Sequence, residues 1–292
     1  LKNKFEEKMK NDLNDRETLE ANIYVHSELA KTGEYNRSPH FRKENQQKVR
    51  KILERLVGNQ SWTGNTKAID FGCGTGFLIH LMRDLFEEVH GVDITPEMMK
   101  QVDLSSGNVF LHQVRAEQTP FPDQTFHFAT AYSFLDHLCD LTVFLEEVYR
   151  VLKPGGVFYS DLNPNREFIR GVERVAGLSE QTDVPAIVKR EITGALHNGE
   201  YYEKTFGLNA ALLEKAEPLK SISKGFCVEE LKAIGSEIGF SKCVVEYDWF
   251  LGQAKVMHEQ PKEDVRVVEA YLSSVLPVSA SLFKYLRIVF TK

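Results

Sequence analysis

The sequence predicts a doubly wound α/β fold: a mostly parallel sheet with helices on both faces and an antiparallel last strand. Three observations predict it. Short runs rich in β-branched and aromatic residues alternate with helical pieces from Lys67 to Asp161, the rhythm of a covered parallel sheet. The first run, Lys67–Phe71, passes directly into the turn Gly72-Cys73-Gly74-Thr75-Gly76. The second run, Glu88–Asp93, ends on an acid.

The elements follow in order. Lys2–Glu20 is polar and helix-compatible, with Phe5, Met9 and Leu13 at helical spacing. Ala21–His40, around Gly33 and Pro39, reads as a loop with short helical pieces. Glu44–Val57 is an amphipathic helix with Val49, Ile52, Leu53, Leu56 and Val57 in one stripe and Gly58 as its stop. Helices are expected over Phe77–Leu85 and Pro96–Val102, the second capped by Thr95 with Pro96 in its first turn. Val109–Gln113 and Phe126–Ala131 are the third and fourth strands. The helix Leu141–Leu152 closes on the turn Lys153-Pro154-Gly155-Gly156, and Val157–Asp161 is the fifth strand. Asn163–Gly225 then breaks the rhythm. An insertion after a strand's carboxyl end lies over the ligand crevice of such a sheet, so it is expected to be a cap, with Glu191–Phe206 as two strands. Val228–Ile238, ended by Gly239, returns to helix, and Lys242–Tyr247 and Tyr285–Thr291 supply the last strands around a helix near Val265–Val275. The organisation expected is an arm or lid over 1–43, a core over 44–162, a cap over 163–225 and completion of the core sheet over 226–292.

Bulk properties narrow the function. The net charge of −6 argues against bulk affinity for nucleic acid. No apolar run is long enough to span a bilayer, and Leu1–Arg16 lacks the apolar stretch of a signal peptide. Leu1 in place of an initiating Met leaves the native start open. Cys73, Cys139, Cys227 and Cys243 form no CxxC pair and match no zinc spacing, so no metal is expected and a reducing, cytoplasmic setting is.

The chemistry begins at Ala68–Phe77. Glycines after a strand let the backbone approach a ligand without Cβ clashes, and the next helix offers free N–H groups. The pattern is Gly-x-Gly-x-Gly, with Phe77 where a dinucleotide fingerprint wants Gly or Ala. Asp93, ending the second strand, is placed to accept both hydroxyls of a ribose.

Ala68–Phe77, followed by His90–Met99, resembles the class I S-adenosylmethionine-dependent methyltransferases, near the branch of quinone-biosynthesis and small-molecule enzymes. Ala116–Phe126, Ser133–Leu138 and Leu145–Gly156 extend the resemblance, which is strong over 45–162 and loose over 226–250 and 282–291. It implies a Rossmann-like core that binds S-adenosyl-L-methionine and releases S-adenosyl-L-homocysteine. By that resemblance Asp70 organises the methionine amine, and Gly72, Gly74 and Gly76 let the loop pass close. Asp93 holds the ribose and Ile94 packs on adenine. Ala116 and Glu117 read the adenine edge. Tyr132 and Ser133 border the methionine part, and His137 lies near the cofactor.

The expected reaction is methyl transfer to a small molecule, with oxygen favoured over nitrogen or carbon. His137 is the first candidate for a general base. His40, Tyr24 and Tyr35 come second, because the N-terminal segment in this family often folds over the cofactor. Arg37 or Arg42 would grip an anion; Asp136 and Asp161 lie near strand ends; His197, Tyr201 and Tyr202 are candidates for the acceptor pocket. His127, where the family often has an acid, reads as a structural histidine at a surface edge or in a hydrogen bond. No Asn-Pro-Pro-Tyr motif follows the fourth strand, which disfavours methylation of nucleic-acid bases. A non-catalytic cofactor-binding protein and a nicotinamide-dependent oxidoreductase are the alternatives. Oligomeric state is open.

Overall fold

A computed structural model describes residues 2–32, 38–178, 184–196, 198–254 and 262–292. Its first element is one continuous helix, α1 (Lys2–Thr32), where a loop was expected from Ala21. The physical reason is tertiary. Ala21, Val25 and Leu29 recur every fourth residue and are buried in a cluster with Leu208, Leu213 and Ala216 of the cap, so α1 gains stability by packing that an isolated helix lacks.

Helix α2 (Lys43–Gly58) buries Val49, Ile52 and Leu53 as its stripe predicts. The core then alternates: β1 (Lys67–Phe71), α3 (Phe77–Met82), β2 (Glu88–Asp93), α4 (Pro96–Met99), β3 (Val109–Gln113), β4 (Phe126–Tyr132), α5 (Leu141–Val151) and β5 (Leu152–Pro164). Thr95 precedes α4 without a side-chain cap; its own N–H donates to Asp93 instead. Asp140 caps α5, accepting from the N–H groups of Thr142 and Val143. The expected turn at Lys153–Gly156 is absorbed into β5 as a register shift between Phe126 and Phe128 of the neighbouring strand.

The cap is helical throughout its described residues: α6 (Arg166–Leu178), α7 (Ala186–Leu196), α8 (Asn198–Phe206), α9 (Ala210–Ala216) and α10 (Pro218–Ser221). The two strands expected over Glu191–Phe206 are therefore helix. Glu191 is the one fully buried position of α7, so no alternate-residue face exists for a sheet to bury. The chain ends with α11 (Val228–Ile238), β6 (Lys242–Phe250), α12 (Lys262–Ser274) and β7 (Phe283–Thr291). Gly239 terminates α11 in the left-handed conformation, with φ 115°.

The strands form one sheet in the order β3-β2-β1-β4-β5-β7-β6. β1 pairs in parallel with β2 and β4, and β7 lies antiparallel between β5 and β6. Side chains alternate across it. Ile69 and Phe71 face a cluster with Phe144 and Val148 of α5. Ala68 faces the opposite cluster with Leu53 of α2 and Leu78 of α3. A buried charge network ties α2 to the antiparallel edge: Lys48 and Arg287 both pair with Asp248, and Arg287 also donates to Asp161 at 2.8 Å. No helix among the described residues is long and apolar enough to cross a membrane.

Candidate active site

The strand order reverses between β1 and β4, where an open α/β sheet leaves a crevice beyond its carboxyl ends. A cavity of about 410 Å³ lies there, in the size range of small-molecule sites. The sheet ends and their loops form its floor, α1 its roof and the cap its far wall.

The glycine loop shapes the near end. Gly72 has φ 64°, and a Cβ there would meet the Phe134 ring at 2.1 Å. Gly74 has φ 51°, and its N–H donates to Asp93 Oδ2 at 2.8 Å. Asp93 Oδ1 accepts the Thr95 N–H, also at 2.8 Å. One carboxylate thus braces both loops while standing on the cavity wall. Gly76 turns the loop into α3, capping it at φ 87° against Val102, one residue beyond the cavity-lining Gly74 and Thr75.

Asp70, 2% exposed, lines the cavity and accepts the Thr130 hydroxyl at 2.7 Å. Burial pushes its carboxyl up to about 7. Ile94, Ala116, Glu117, Tyr132 and Ser133 complete this end. Tyr132 is held by Asn45, whose amide donates to the phenol oxygen at 2.6 Å. Phe77 packs on Tyr132 with ring centroids 4.6 Å apart, so the residue that departs from the dinucleotide pattern is a wall of this cavity.

The far end gathers side chains from distant segments. His137 follows β4 in the short 3-10 turn Leu135–His137, and its Nδ1 lies 2.9 Å from the Ala216 carbonyl. His26 of α1 stands edge-on to it at 4.9 Å; burial, reinforced by His137, pushes His26 down to about 3. Glu217 and Lys220 come from the junction of α9 and α10, and Lys284 and Tyr285 from β7.

Other expected residues lie elsewhere or do other work. His40 lines the cavity, but its ring is packed on Trp249 at 4.4 Å and burial pushes it down to about 3, which makes it a weak base at neutral pH. Tyr24 is 50% exposed and is not among the described lining residues, because the opposite face of α1 carries the buried apolar stripe. Arg42 is exposed. Asp161 is committed to Arg287 and to the Tyr159 hydroxyl at 2.7 Å. His127 is 5% exposed rather than at a surface edge, and its Nδ1 accepts the Lys67 N–H at 3.1 Å. Tyr202 lines the cavity and Tyr201 is 50% exposed. Tyr35, Arg37 and His197 lie outside the described residues.

Sequence reasoning missed Asp15, Arg115, Glu217, Lys220 and Lys284. Arg115 grips Asp15 of α1 through two hydrogen bonds, at 2.6 and 2.8 Å, and lies 3.2 Å from Glu117. Its place beside Ala116 was a usable signal. Glu217 and Lys220 are visible in the sequence as an i,i+3 pair, but nothing local says that they face a cavity.

Residues 69–160 match the family model described as a methyltransferase domain. A demethylmenaquinone methyltransferase of Chlorobaculum parvum is 37% identical over 94 residues, covering 32% of this chain and 39% of that protein. The malonyl-[acyl-carrier protein] O-methyltransferase of Serratia marcescens is 32% identical over 111 residues, 37% of this chain and 42% of that one. The demethylmenaquinone methyltransferase of Lysinibacillus sphaericus is 28% identical over 206 residues, 66% of this chain and 76% of its own length. The chain thus spans about two fifths of the length of the first two relatives. Phosphoethanolamine N-methyltransferase 2 of Haemonchus contortus shares the fold, with a TM-score of 0.50 and 15% identity over 83% of this chain and 51% of that one. The fold, the glycine loop and the acid closing β2 define a class I S-adenosylmethionine-dependent methyltransferase domain. Residues 69–160 carry this methyltransferase domain, and the relatives it resembles include quinone-biosynthesis enzymes.

Proposed function

We propose that the protein transfers a methyl group from S-adenosyl-L-methionine to a small-molecule acceptor, with a hydroxyl oxygen favoured as the methylated atom. The observation that carries this reading is the position of Asp93. A carboxylate offers about four acceptor directions; the N–H groups of Gly74 and Thr95 use two, which leaves acceptor capacity on the cavity wall for a ribose diol. Asp70, buried and held near neutral pH, suits a cationic ammonium that would draw it into the carboxylate form. Gly72 and Gly74 keep the floor free of Cβ atoms, Ile94 and Ala116 offer an apolar slot for a base, and Glu117 stands at its edge.

The cofactor supplies an electrophilic methyl on a sulfonium. The protein's task is then to hold an acceptor in line and exclude water. Helix α1 closes the roof through Asp15, Asn22 and His26, while Leu162, Phe168 and Leu213 give the acceptor end apolar walls. His137 stands where the two ends meet and serves as a positioning group. The four free cysteines fit a reducing, cytoplasmic setting.

Calorimetric titration with S-adenosylmethionine, S-adenosylhomocysteine and NADH tests the reading. Saturable binding of the first two without the third is expected. A folded, ligand-free sample that binds neither sulfur compound overturns it.

A further inference from the structure

The far end of the cavity holds a buried acid with one carboxylate oxygen left unpartnered among the described residues. Asp136 is 6% exposed and lines the cavity, and its Oδ1 has no hydrogen-bond partner among the described residues. Buried acceptors are satisfied in the great majority of cases, so an orphan facing a ligand cavity points to a donor carried by the ligand. Three charged or titratable neighbours face Asp136. His137 Nε2 lies 3.9 Å from Oδ1, beyond hydrogen-bond reach. Glu217 offers an oxygen within 4.8 Å of both groups. Lys220 donates to Glu217 at 2.6 Å. Behind His137, His26 is kept neutral by burial.

These groups specify the kind of donor. Two carboxylates face one ammonium, and that ammonium already occupies the cation position beside Glu217. His137 donates from Nδ1 to the Ala216 carbonyl, and its Nε2 stands 3.9 Å from Asp136 Oδ1. Among the described residues, neither histidine nor lysine donates to Asp136 Oδ1. The surrounding walls, Leu162, Phe168, Ile169, Tyr202 and Leu213, are apolar or aromatic.

We infer that Asp136 binds the acceptor: its Oδ1 receives the hydroxyl of a neutral acceptor with an apolar or aromatic body and takes that proton during transfer. This rests on the methyl-transfer reading and makes Asp136, rather than His137, the base. As the acceptor's oxygen–methyl bond forms, its O–H bond breaks and the proton passes to Asp136; the S–CH₃ bonding pair stays on sulfur. The positive charge lost at sulfur and the negative charge lost at Asp136 cancel, so the buried site ends neutral. Burial raises the Asp136 carboxyl, with Glu217 adding to the rise and His137 and Lys220 opposing it, which moves it toward the range useful for a base. His137, held through Nδ1 by the Ala216 carbonyl, stands beside this acid as a positioning residue.

Fluorine NMR with 4-fluorophenol and 4-fluoroanisole, with and without S-adenosylhomocysteine, provides the test. The wild type should bind the phenol at least tenfold more tightly than the ether, which lacks the donor. Asp136→Leu should abolish that preference. Asp136→Asn keeps an acceptor oxygen but no base, so it should keep the preference and lose methylation of 4-fluorophenol by at least about 100-fold. Equal binding of the two probes by the wild type, binding of neither, or a phenol preference that survives Asp136→Leu overturns the inference. Affinity for S-adenosylhomocysteine, measured on the same samples, should be unchanged in both variants. Its absence from the wild type beside an intact, Asp136-dependent phenol preference would sink methyl transfer and leave the hydroxyl site standing.

Discussion

The two ends of one cavity are built on different principles. The near end is made largely of backbone: glycines at positive φ, N–H groups locked to Asp93, and a few side chains that follow their strands directly. The far end is made of side chains from many distant places: α1, the turn after β4, the end of β5, the cap helices and β7. The near end therefore tolerates little change in chain geometry. The far end can be rebuilt by exchanging side chains without disturbing the sheet, as expected where a fixed ligand meets a variable one.

The largest effect that would break this contrast lies at Gly72. Its φ of 64° and the 2.1 Å approach to Phe134 combine backbone strain with overpacking, so Gly72→Ala should cost about 3 kcal/mol and abolish titration by S-adenosylhomocysteine. Gly155 has φ 73° with nothing within 4 Å, so Gly155→Ala should cost only about 1 kcal/mol. Urea melts of the two variants compare them; equal losses would mean that the loop is not shaped by close packing.

Asp93→Ala comes next. It removes an anchor for two loop N–H groups and the proposed ribose acceptor, and hydrogen bonds to charged groups are worth about 1.5–3 kcal/mol. Calorimetry should show S-adenosylhomocysteine binding about 10- to 100-fold more weakly, whereas Asp136→Asn should stay within about twofold of wild type. If both variants lose affinity alike, the two ends are not separable.

Asp70 gives a pH-dependent version of the contrast. Its carboxyl is raised by burial to about 7, so the folded protein without ligand binds a proton there that the unfolded chain has released. This contribution to stability is present at low pH and fades as pH rises through 7. Binding a cationic ammonium requires the carboxylate, so affinity should run the other way, falling by at most about tenfold per pH unit from pH 7 to pH 5. Titrations across that range check the sign. Asp70→Asn should flatten the slope; an unchanged slope would place the ammonium elsewhere.

This difference in construction also explains what the sequence made legible. Strand, glycine turn and acid occur as contiguous patterns, so β1, β2 and the residues between Asp70 and Asp93 could be read locally. A bare pattern does not separate a glycine that turns the chain, as Gly76 does at φ 87°, from one that lines the cavity, as Gly74 does. The far end was largely illegible. Asp136 and His137 sit beside a readable strand, but Glu217 and Lys220 reach them through helices whose composition says nothing of their neighbours. Tyr24 and the loop expected over Ala21–His40 failed together, because only the cap reveals that Ala21, Val25 and Leu29 form a buried stripe.

The smallest expected effect concerns the roof that joins the two ends. Arg115 grips Asp15, while Ser27 donates to Glu97 at 2.9 Å and Lys215 pairs with Glu17 at 2.7 Å. These are partly or largely exposed contacts, each worth no more than about 1 kcal/mol, and the apolar stripe of α1 stays buried without them. Asp15→Ala should therefore weaken S-adenosylhomocysteine only about two- to fivefold, mainly through faster dissociation in stopped-flow measurements. Raising the ionic strength from 50 to 500 mM should mimic much of that change in the wild type and little in the variant, since screening acts on the same pair. Val25→Ala, which thins the buried stripe instead, should speed dissociation at both salt concentrations equally. If Asp15→Ala proves as damaging as Asp93→Ala, the roof is part of the near end's fixed geometry, and the boundary between the two modes of construction belongs on α1 rather than at His137.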